Sequence, residues 1–230
     1  MIPGQPAQGD ATRALARSRD RQLAKRAKIT AVAMEEFAAH GYEGTRAEAV
    51  ALAAGVSKGA IFGYFGSKAG LFLAAYQAAT LAFGRYLDAP PGILAGGFFA
   101  TLTYWLEHTP GLMRQAWAPY RVVLIGSYCS DLGLKREIDT YMRRADPYGT
   151  ADFVRFGQRR GEVRTDIDVE PIIALVDWTF DRCQDVIVAT EPDPGILSNL
   201  TQSAVVRPGS VEQFVQLLRS AIAVPAEPGR

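Results

Sequence analysis

Apolar residues recur at helical spacing along most of this chain. Ile29, Ala33 and Phe37 are separated by single turns, as in a helix with one buried side. A second apolar stripe runs from about Ser67 to Leu87, and the pattern is helical throughout from about residue 93. No segment alternates apolar and polar residues between hairpin turns. The pattern therefore predicts an all-α protein.

Two short helices joined by a glycine turn are predicted between residues 45 and 68, TRAEAVALAAGVSKGAIFGYFGSK. Thr45 with Glu48 three residues later predicts a capping box at the first helix, and Ser57 is the predicted cap of the second. Gly55 lies where such a turn needs a positive φ. The predicted inward residues are Val50, Ala51, Val56 and Ile61. This spacing is typical of a helix-turn-helix, whose second helix enters the DNA major groove, and also of a plain bundle corner.

The segment from Ile29 to Phe72 resembles a known family. Its runs AVAMEEFAAHGYEGT and AGVSKGAIFGYFGSK are similar to the N-terminal DNA-binding domain of the tetracycline-repressor (TetR) family of bacterial transcription regulators, without insertion or deletion. The remaining chain carries no comparable signature. The resemblance implies a homodimer with a three-helix helix-turn-helix domain, followed by a helical bundle for ligand binding and dimerisation. Repression is the default in the family, and activation stays open.

Four segments are expected along the chain. They are a disordered basic extension (1–21), the DNA-binding domain (22–68), the ligand-binding and dimerisation domain (69–224) and a disordered tail (225–230). Two interpretations of the extension stay open, because its arginines suit DNA backbone or minor groove as well as a solvated tail. These arginines are Arg13, Arg17, Arg19 and Arg21.

The expected DNA contacts combine phosphate and base-edge recognition. The resemblance implies that Tyr64 and Lys68 clamp the DNA backbone, and the helix N-terminus at Thr45 and Arg46 favours a phosphate. The sequence departs from the family where Phe62 replaces a common tyrosine and Gly63 replaces a longer polar residue. One phosphate-contacting hydroxyl and one possible polar contact of the family are therefore missing. The full set is Thr45, Arg46, Ser57, Lys58, Gly59, Ala60, Phe62, Tyr64 and Lys68.

The C-terminal segment is unusually aromatic around two expected helix breaks, at Pro110 and Pro119. Aromatic walls with a few polar tips suit a small-molecule site, although many of these residues serve as ordinary core. We expect an apolar or aromatic effector, with Arg114 and Arg121 available to a carboxylate. A buried neutral His108 would orient it, the alternative being that His108 only ends a helix. The expected contacts are Trp105, His108, Met113, Trp117 and Tyr120.

Dimerisation is expected through the helices at about 171–190 and 210–223, the second opened by a capping box of Ser210 and Gln213. Their apolar residues exceed what one small bundle needs to bury, which favours a four-helix contact between subunits. These residues are Ile172, Leu175, Val176, Phe180 and Ile187 on one helix, and Val211, Phe214, Leu217, Leu218 and Ile222 on the other.

Charge and composition narrow the class of protein. The net charge is +1, but residues 1–70 carry +4 and residues 71–230 carry −3, which suits one end placed on phosphates. No apolar span of membrane length or signal core is found, so a cytoplasmic protein with no membrane partner is expected. Cys129 and Cys183 are expected as buried free thiols.

Nothing in the sequence indicates an enzyme. His40 and His108 neighbour no metal-spaced cluster, and no nucleotide-binding or nucleophile motif is present, so we expect no catalytic residues, metal or cofactor. The expected partners are a double-stranded DNA operator, a small-molecule effector and a second copy of the chain. A ligand-independent, nucleoid-type DNA-binding protein is the alternative.

Overall fold

The computed structural model describes residues 8–85, 88–187 and 209–225, and these fold into eleven helices. Their bounds are α1 Gln8–Gly44, α2 Ala47–Ala54, α3 Lys58–Phe65, α4 Lys68–Gly84, α5 Pro91–Ala95, α6 Phe98–Gln115, α7 Trp117–Ser127, α8 Leu132–Ala145, α9 Thr150–Arg159, α10 Val169–Ile187 and α11 Ser210–Ile222. The all-α prediction is confirmed. The described residues contain no strand beyond one isolated bridge, between Val163 and Ala223.

The chain divides into two compact units, Met1–Ala78 and Ala79–Arg230. The sequence placed this boundary after residue 68. The division falls later because the first turns of α4 belong to the core of the first unit, where Leu71, Phe72 and Ala75 are buried. Phe72 packs edge-on against Phe37 of α1, with ring centroids 4.9 Å apart.

The first unit is built on the buried side of α1. Ile29, Ala33 and Phe37 are fully buried, as their spacing predicted. They pack with inward residues of the following helices, so the three helices share one apolar core. The buried apolar residues of α2 and α3 are Val50, Ala51, Ala54 and Ile61.

The expected disordered extension is partly wrong. Residues 1–7 lie outside the described residues, but α1 begins at Gln8 and continues as helix through the predicted extension into the domain. Residues 12–28 are all exposed. Ala, Arg, Lys and Gln are strong helix formers, and they dominate this segment, which explains its helical structure without a buried side.

Both predicted capping boxes are wrong. The residue that caps α2 is Arg46, with no side-chain cap bond, while Thr45 is buried and its Oγ1 donates to the carbonyl oxygens of Gly41 (2.8 Å) and Glu36 (3.1 Å). Helix α11 begins after Gly209, whose φ of 77° places it in the left-handed region, and not after Ser210.

The core of the second unit contains an apolar cluster built around α6. Phe98, Phe99, Leu102 and Leu106 of α6 are fully buried in it. They meet apolar residues of four other helices, namely Tyr120, Leu124, Phe153, Val154, Ile172, Val176, Val211, Val215, Leu218 and Ile222. Helix α6 is thus the central element of this unit.

The break expected at Thr109-Pro110-Gly111 is absent, because α6 continues to Gln115. A proline in a helix interior removes one hydrogen bond and bends the helix without having to end it. The helix ends instead before Ala116, and Pro119 lies in the first turn of α7, where its missing N–H costs nothing. Cys129 is half-buried with a free thiol, not fully buried as expected, and the side chain of Cys183 lies outside the described residues.

Candidate functional sites

Helices α2 and α3 form the turn that the sequence predicted. Gly55 adopts φ 69° and ψ 40°, a left-handed conformation that favours glycine, and it ends α2. Ser57 then caps α3, its Oγ accepting a hydrogen bond from the Ala60 amide at 3.2 Å. Ile61 is fully buried, so the opposite side of α3 faces away from the core. This leaves one side of a short, capped helix open to a partner.

The outward side of α3 carries few polar side chains. Lys58, Gly59, Phe62 and Gly63 are exposed, and their spacing puts them on neighbouring positions of successive turns. Phe62 is 40% exposed, so part of its ring is open to a partner. Ala60 and Tyr64 are half-buried at the edges of this surface. The surface offers one ammonium, one aromatic ring and close backbone approach.

Lys58 forms an ion pair with Glu48, a residue that the sequence predicted as part of a capping box. Its Nζ lies 2.6 Å from Glu48 Oε1 of α2 and 5.8 Å from the centroid of the Phe62 ring. The hydrogen bond and the charge of Lys58 lower the pKa of the Glu48 carboxyl. Glu48 therefore places a negative charge beside the outward side of α3. The sequence shows only an acidic residue ten positions before Lys58, which was not enough to predict this ion pair.

Thr45 and Arg46 differ in what they offer to DNA. The buried Thr45 hydroxyl is engaged with two backbone carbonyls of α1, so it holds the start of α2 against α1. Arg46 is exposed and precedes the free amides of α2, where a phosphate is favoured. Of this pair, Arg46 is the better candidate for a DNA contact.

Lys68 has a structural contact in addition to its expected role. Its Nζ donates to the Glu43 carbonyl oxygen at 3.1 Å and lies 4.8 Å from the Tyr42 ring centroid. An ammonium has three donors, so one such bond leaves capacity for a phosphate oxygen. Lys68 also stabilises the end of α1, and its substitution would test two roles together.

The expected effector contacts do not all come together in the second unit. Trp105 and Trp117 both pack against the apolar cluster that contains Tyr120. The Trp105 ring lies 4.5 Å from Phe153, and the Trp117 ring lies 6.5 Å from Tyr120, centroid to centroid. These three aromatic residues thus belong to, or pack against, one apolar cluster.

His108 does not join this group. His108 is exposed, its Nδ1 lies 2.7 Å from the Tyr104 carbonyl oxygen one turn earlier, and its ring stacks near Tyr104. The expectation of a buried imidazole is therefore wrong, because this position of α6 points away from the core. The side chain of Met113 lies outside the described residues.

Arg121 is a charged residue that lies beside Trp117. It is half-buried in α7, and burial lowers the pKa of its guanidinium, although arginine stays charged in proteins. Its carbon Cζ lies 5.9 Å from the Trp117 ring centroid. Its buried Nη1 has no hydrogen-bond partner among the described residues. A desolvated cation with a vacant donor favours an anionic partner.

Comparisons with known proteins identify the first unit and the fold. Residues 29–75 match the family model of the bacterial regulatory proteins of the tetR family. No match was found among curated proteins. Within the described residues, no helix has the length and apolar content of a membrane span, and no three His, Cys, Asp or Glu side chains are grouped to hold a metal ion.

Solved structures of low sequence identity share the fold. FadR from Bacillus subtilis in complex with stearoyl-CoA is 18% identical, with 85% of this chain and 98% of that chain covered and a TM-score of 0.59. FadR from Thermus thermophilus in complex with lauroyl-CoA is 18% identical, with coverages of 89% and 98% and a TM-score of 0.58. A TetR transcriptional regulator from Chloroflexus aurantiacus is 20% identical, with coverages of 90% and 100% and a TM-score of 0.54.

Proposed function

Because the chain is a transcriptional regulator of the tetR family, we propose that it binds a pseudo-palindromic DNA operator as a homodimer in the cytoplasm and represses transcription until a small molecule releases it. The observation that carries the DNA-binding step is the outward side of α3, with Lys58 and Phe62 exposed beside two glycines. Ala60 and Phe62 suit thymine methyl groups, and the glycines allow close approach to the groove. A homodimer would present two such helices about one DNA turn apart.

Selection from a pool of random duplexes tests this proposal without knowledge of the operator. The full-length protein should enrich an inverted repeat whose half-site centres lie about 10 base pairs, or a multiple, apart. Phe62→Glu places a carboxylate on the exposed side of α3 and should abolish the enrichment. Leu132→Glu is the matched control, since Leu132 is 80% exposed on the second unit and its substitution adds the same charge. Equal enrichment by both variants would contradict the assignment of α3.

The proposed effector has an apolar body and an anionic group. The aromatic residues Trp105, Trp117 and Tyr120 suit the apolar body, and the vacant donor of Arg121 suits a carboxylate or phosphate. Two proteins of the same fold were solved with acyl-CoA molecules, which combine an apolar chain with an anionic head group. The effector would act by binding better to a dimer whose recognition helices no longer match the operator.

Titration of the protein–operator complex checks the effector class. Saturated acyl-CoAs, free fatty acids and aromatic acids of graded size are added, and operator release and tryptophan fluorescence are followed. Arg121→Gln should weaken acidic effectors about tenfold or more, and Arg155→Gln, an exposed arginine of α9, should not. If no compound releases the duplex and no sequence is enriched, the ligand-independent, nucleoid-type alternative is favoured.

A further inference from the structure

The N-terminal part of α1 is a helix without a buried side. Residues 12–28 are all exposed, whereas Ile29 and Thr30, which follow directly, are buried. Residues 8–28 amount to about 31 Å of continuous helix ahead of the three-helix domain. Because this helix packs on no apolar core, core packing does not explain which residues it contains.

This segment, residues 8–28, is strongly basic. It holds seven of the 25 basic residues of the chain and two acidic ones, a net charge of +5, while the whole chain carries only +1. Five of the seven recur at intervals of three or four residues and therefore share one side of the helix. This basic stripe consists of Arg13, Arg17, Arg21, Lys25 and Lys28.

The basic stripe leads directly to the candidate DNA interface. A side-chain carbon placed at Gly55, in the turn before α3, would lie 4.0 Å from Lys28 Nζ. Arg26, on another side of the helix, has its guanidinium carbon 5.2 Å from the centroid of the Phe65 ring at the end of α3. Basic side chains of α1 thus flank both ends of α3, and the stripe continues this positive charge away from the turn.

The spacing of the stripe is unfavourable for an isolated helix. Arg13, Arg17, Arg21 and Lys25 follow one another at four-residue intervals, and like charges at this spacing repel each other. A polyanion relieves this repulsion. Duplex DNA is such a polyanion, with one negative charge per ~1.7 Å of its axis.

The apolar content of the segment argues against a lipid surface or a coiled coil. Its large apolar residues are Leu15 and Leu23, which are 72% and 56% exposed. Arg19 lies between them on the same side of the helix. Membrane-surface helices and coiled-coil seams need a continuous apolar stripe, which this segment does not have.

We propose that residues 8–28 form a rigid DNA-binding extension whose basic stripe contacts phosphates outside the base pairs read by α3. The proposal rests on the DNA-binding function proposed above and enlarges its footprint. The extension carries affinity and no base readout, because phosphate contacts are the same for every sequence. It lengthens the bound duplex on each side by at most about one helical turn, given its reach of about 31 Å.

The test compares two triple variants of the full-length chain. Arg13, Arg17 and Arg21 are changed to Gln in the first, and Arg136, Arg143 and Arg144, exposed in α8, are changed to Gln in the second. Both lose three positive charges and keep good helix formers. Affinity is measured for a minimal enriched duplex, for the same duplex with about ten flanking base pairs on each side, and for random duplex.

The wild type and the α8 variant should bind the flanked duplex more tightly than the minimal one. The first variant should lose this preference, bind the flanked duplex about tenfold or more weakly, and show a salt slope smaller by about 0.9 per lost phosphate contact. Equal behaviour of the two variants would overturn the proposal, as would a loss that is the same on both duplexes. Stripe-dependent binding to phosphatidylserine vesicles with unchanged DNA binding would overturn it in favour of a membrane.

The two proposals fail in distinguishable ways. If selection enriches no sequence, the operator-binding function fails, whereas the difference between the two triple variants on random duplex still tests the extension. If a sequence is enriched and both variants bind its flanked duplex like the wild type, only the extension fails.

Discussion

We expect the ion pair between Lys58 and Glu48 to matter more for DNA binding than for stability. The two side chains are 54% and 60% exposed, and exposed pairs contribute little to the free energy of unfolding. The depressed pKa of Glu48 means that this small contribution is present above the carboxyl's unfolded pKa and is lost as the pH falls through its folded pKa. The larger effect is electrostatic, because Glu48 neutralises the one cation on the outward side of α3.

Glu48→Gln should therefore strengthen binding to every duplex, by about three- to tenfold. The change removes a negative charge near the phosphates and releases Lys58 to contact one of them. Fluorescence anisotropy at several salt concentrations measures this, and the salt slope should rise by about one. Glu35→Gln, an exposed residue of α1, is the control for the same charge change. An unchanged or weaker affinity of the Glu48 variant would show that Lys58 does not reach DNA.

Asp177 of α10 predicts a dependence of stability on pH. Burial raises the pKa of its carboxyl, a hydrogen bond from Thr150 opposes the shift, and the nearby Asp146 adds to it. Because the folded pKa is the higher one, stability declines as the pH rises from the unfolded pKa, about 4, through the folded value. Asp177→Asn removes this decline.

Urea unfolding across this range checks the prediction. The Asp177→Asn variant and the wild type should have similar midpoints near pH 4, and the variant should be the more stable at neutral pH. Asp168→Asn, an exposed residue just before α10, should show no such divergence. A variant that is less stable than the wild type at neutral pH would mean that the ionised carboxylate is a stabilising group.

At the scale of elements, turns and helix caps could be predicted where no distant group competes for the same hydrogen bond. Gly55 and Ser57 adopt the predicted turn and cap, because both depend on neighbours within four residues. Thr45 has the correct sequence for a cap, but its hydroxyl bonds to carbonyls of α1, one of them nine residues away. A competing partner from another helix is not visible in a short sequence window.

The contacts between distant segments of the second unit could not be predicted from the sequence either. Val163 pairs with Ala223 at the end of α11, with the Arg164 amide donating to the Ile222 carbonyl at 2.9 Å. The pairing depends on how α9 and α11 pack on α6, and residues sixty positions apart carry no spacing signal for it.

Gly157 of α9 is a second contact of this kind and yields a prediction. A side-chain carbon there would lie 2.5 Å from Val163 Cγ2 and 2.8 Å from the Phe98 ring. Gly157→Ala should therefore lower the free energy of unfolding by about 1–3 kcal/mol, the usual cost of overpacking a core. Gly111→Ala in α6 meets no atom within 4 Å and should raise it by about 0.5–1 kcal/mol. Chemical denaturation measures both, and destabilisation of the two variants by the same amount would contradict the steric argument.

For the whole molecule, the sequence could not separate core from interface in α10 and α11. Many apolar residues attributed to dimerisation are buried within one protomer, namely Ile172, Val176, Val211, Leu218 and Ile222. A helix that packs in the protomer core and a helix that packs in a dimer interface have the same spacing of apolar residues. Periodicity alone therefore cannot tell which role a residue has. The structure leaves Trp178 of α10 and Leu217 of α11 exposed, each at 68%. The proposed dimer surface is thus reduced to the side of these helices that carries these two residues.

Trp178→Glu combined with Leu217→Glu should convert the proposed dimer into a monomer. Neither side chain supports the core of the protomer, so the helical content should persist, whereas two carboxylates in an apolar interface would each carry a large desolvation cost. Light scattering at micromolar concentration measures the mass, and circular dichroism verifies the fold. Leu132→Glu, at another exposed apolar residue, in α8, should leave the mass unchanged. The monomer should also lose its preference for an inverted repeat over a single half-site, because two linked recognition helices gain affinity only when both half-sites are present. A wild-type monomer, or a variant that stays dimeric, would place the subunit contact elsewhere.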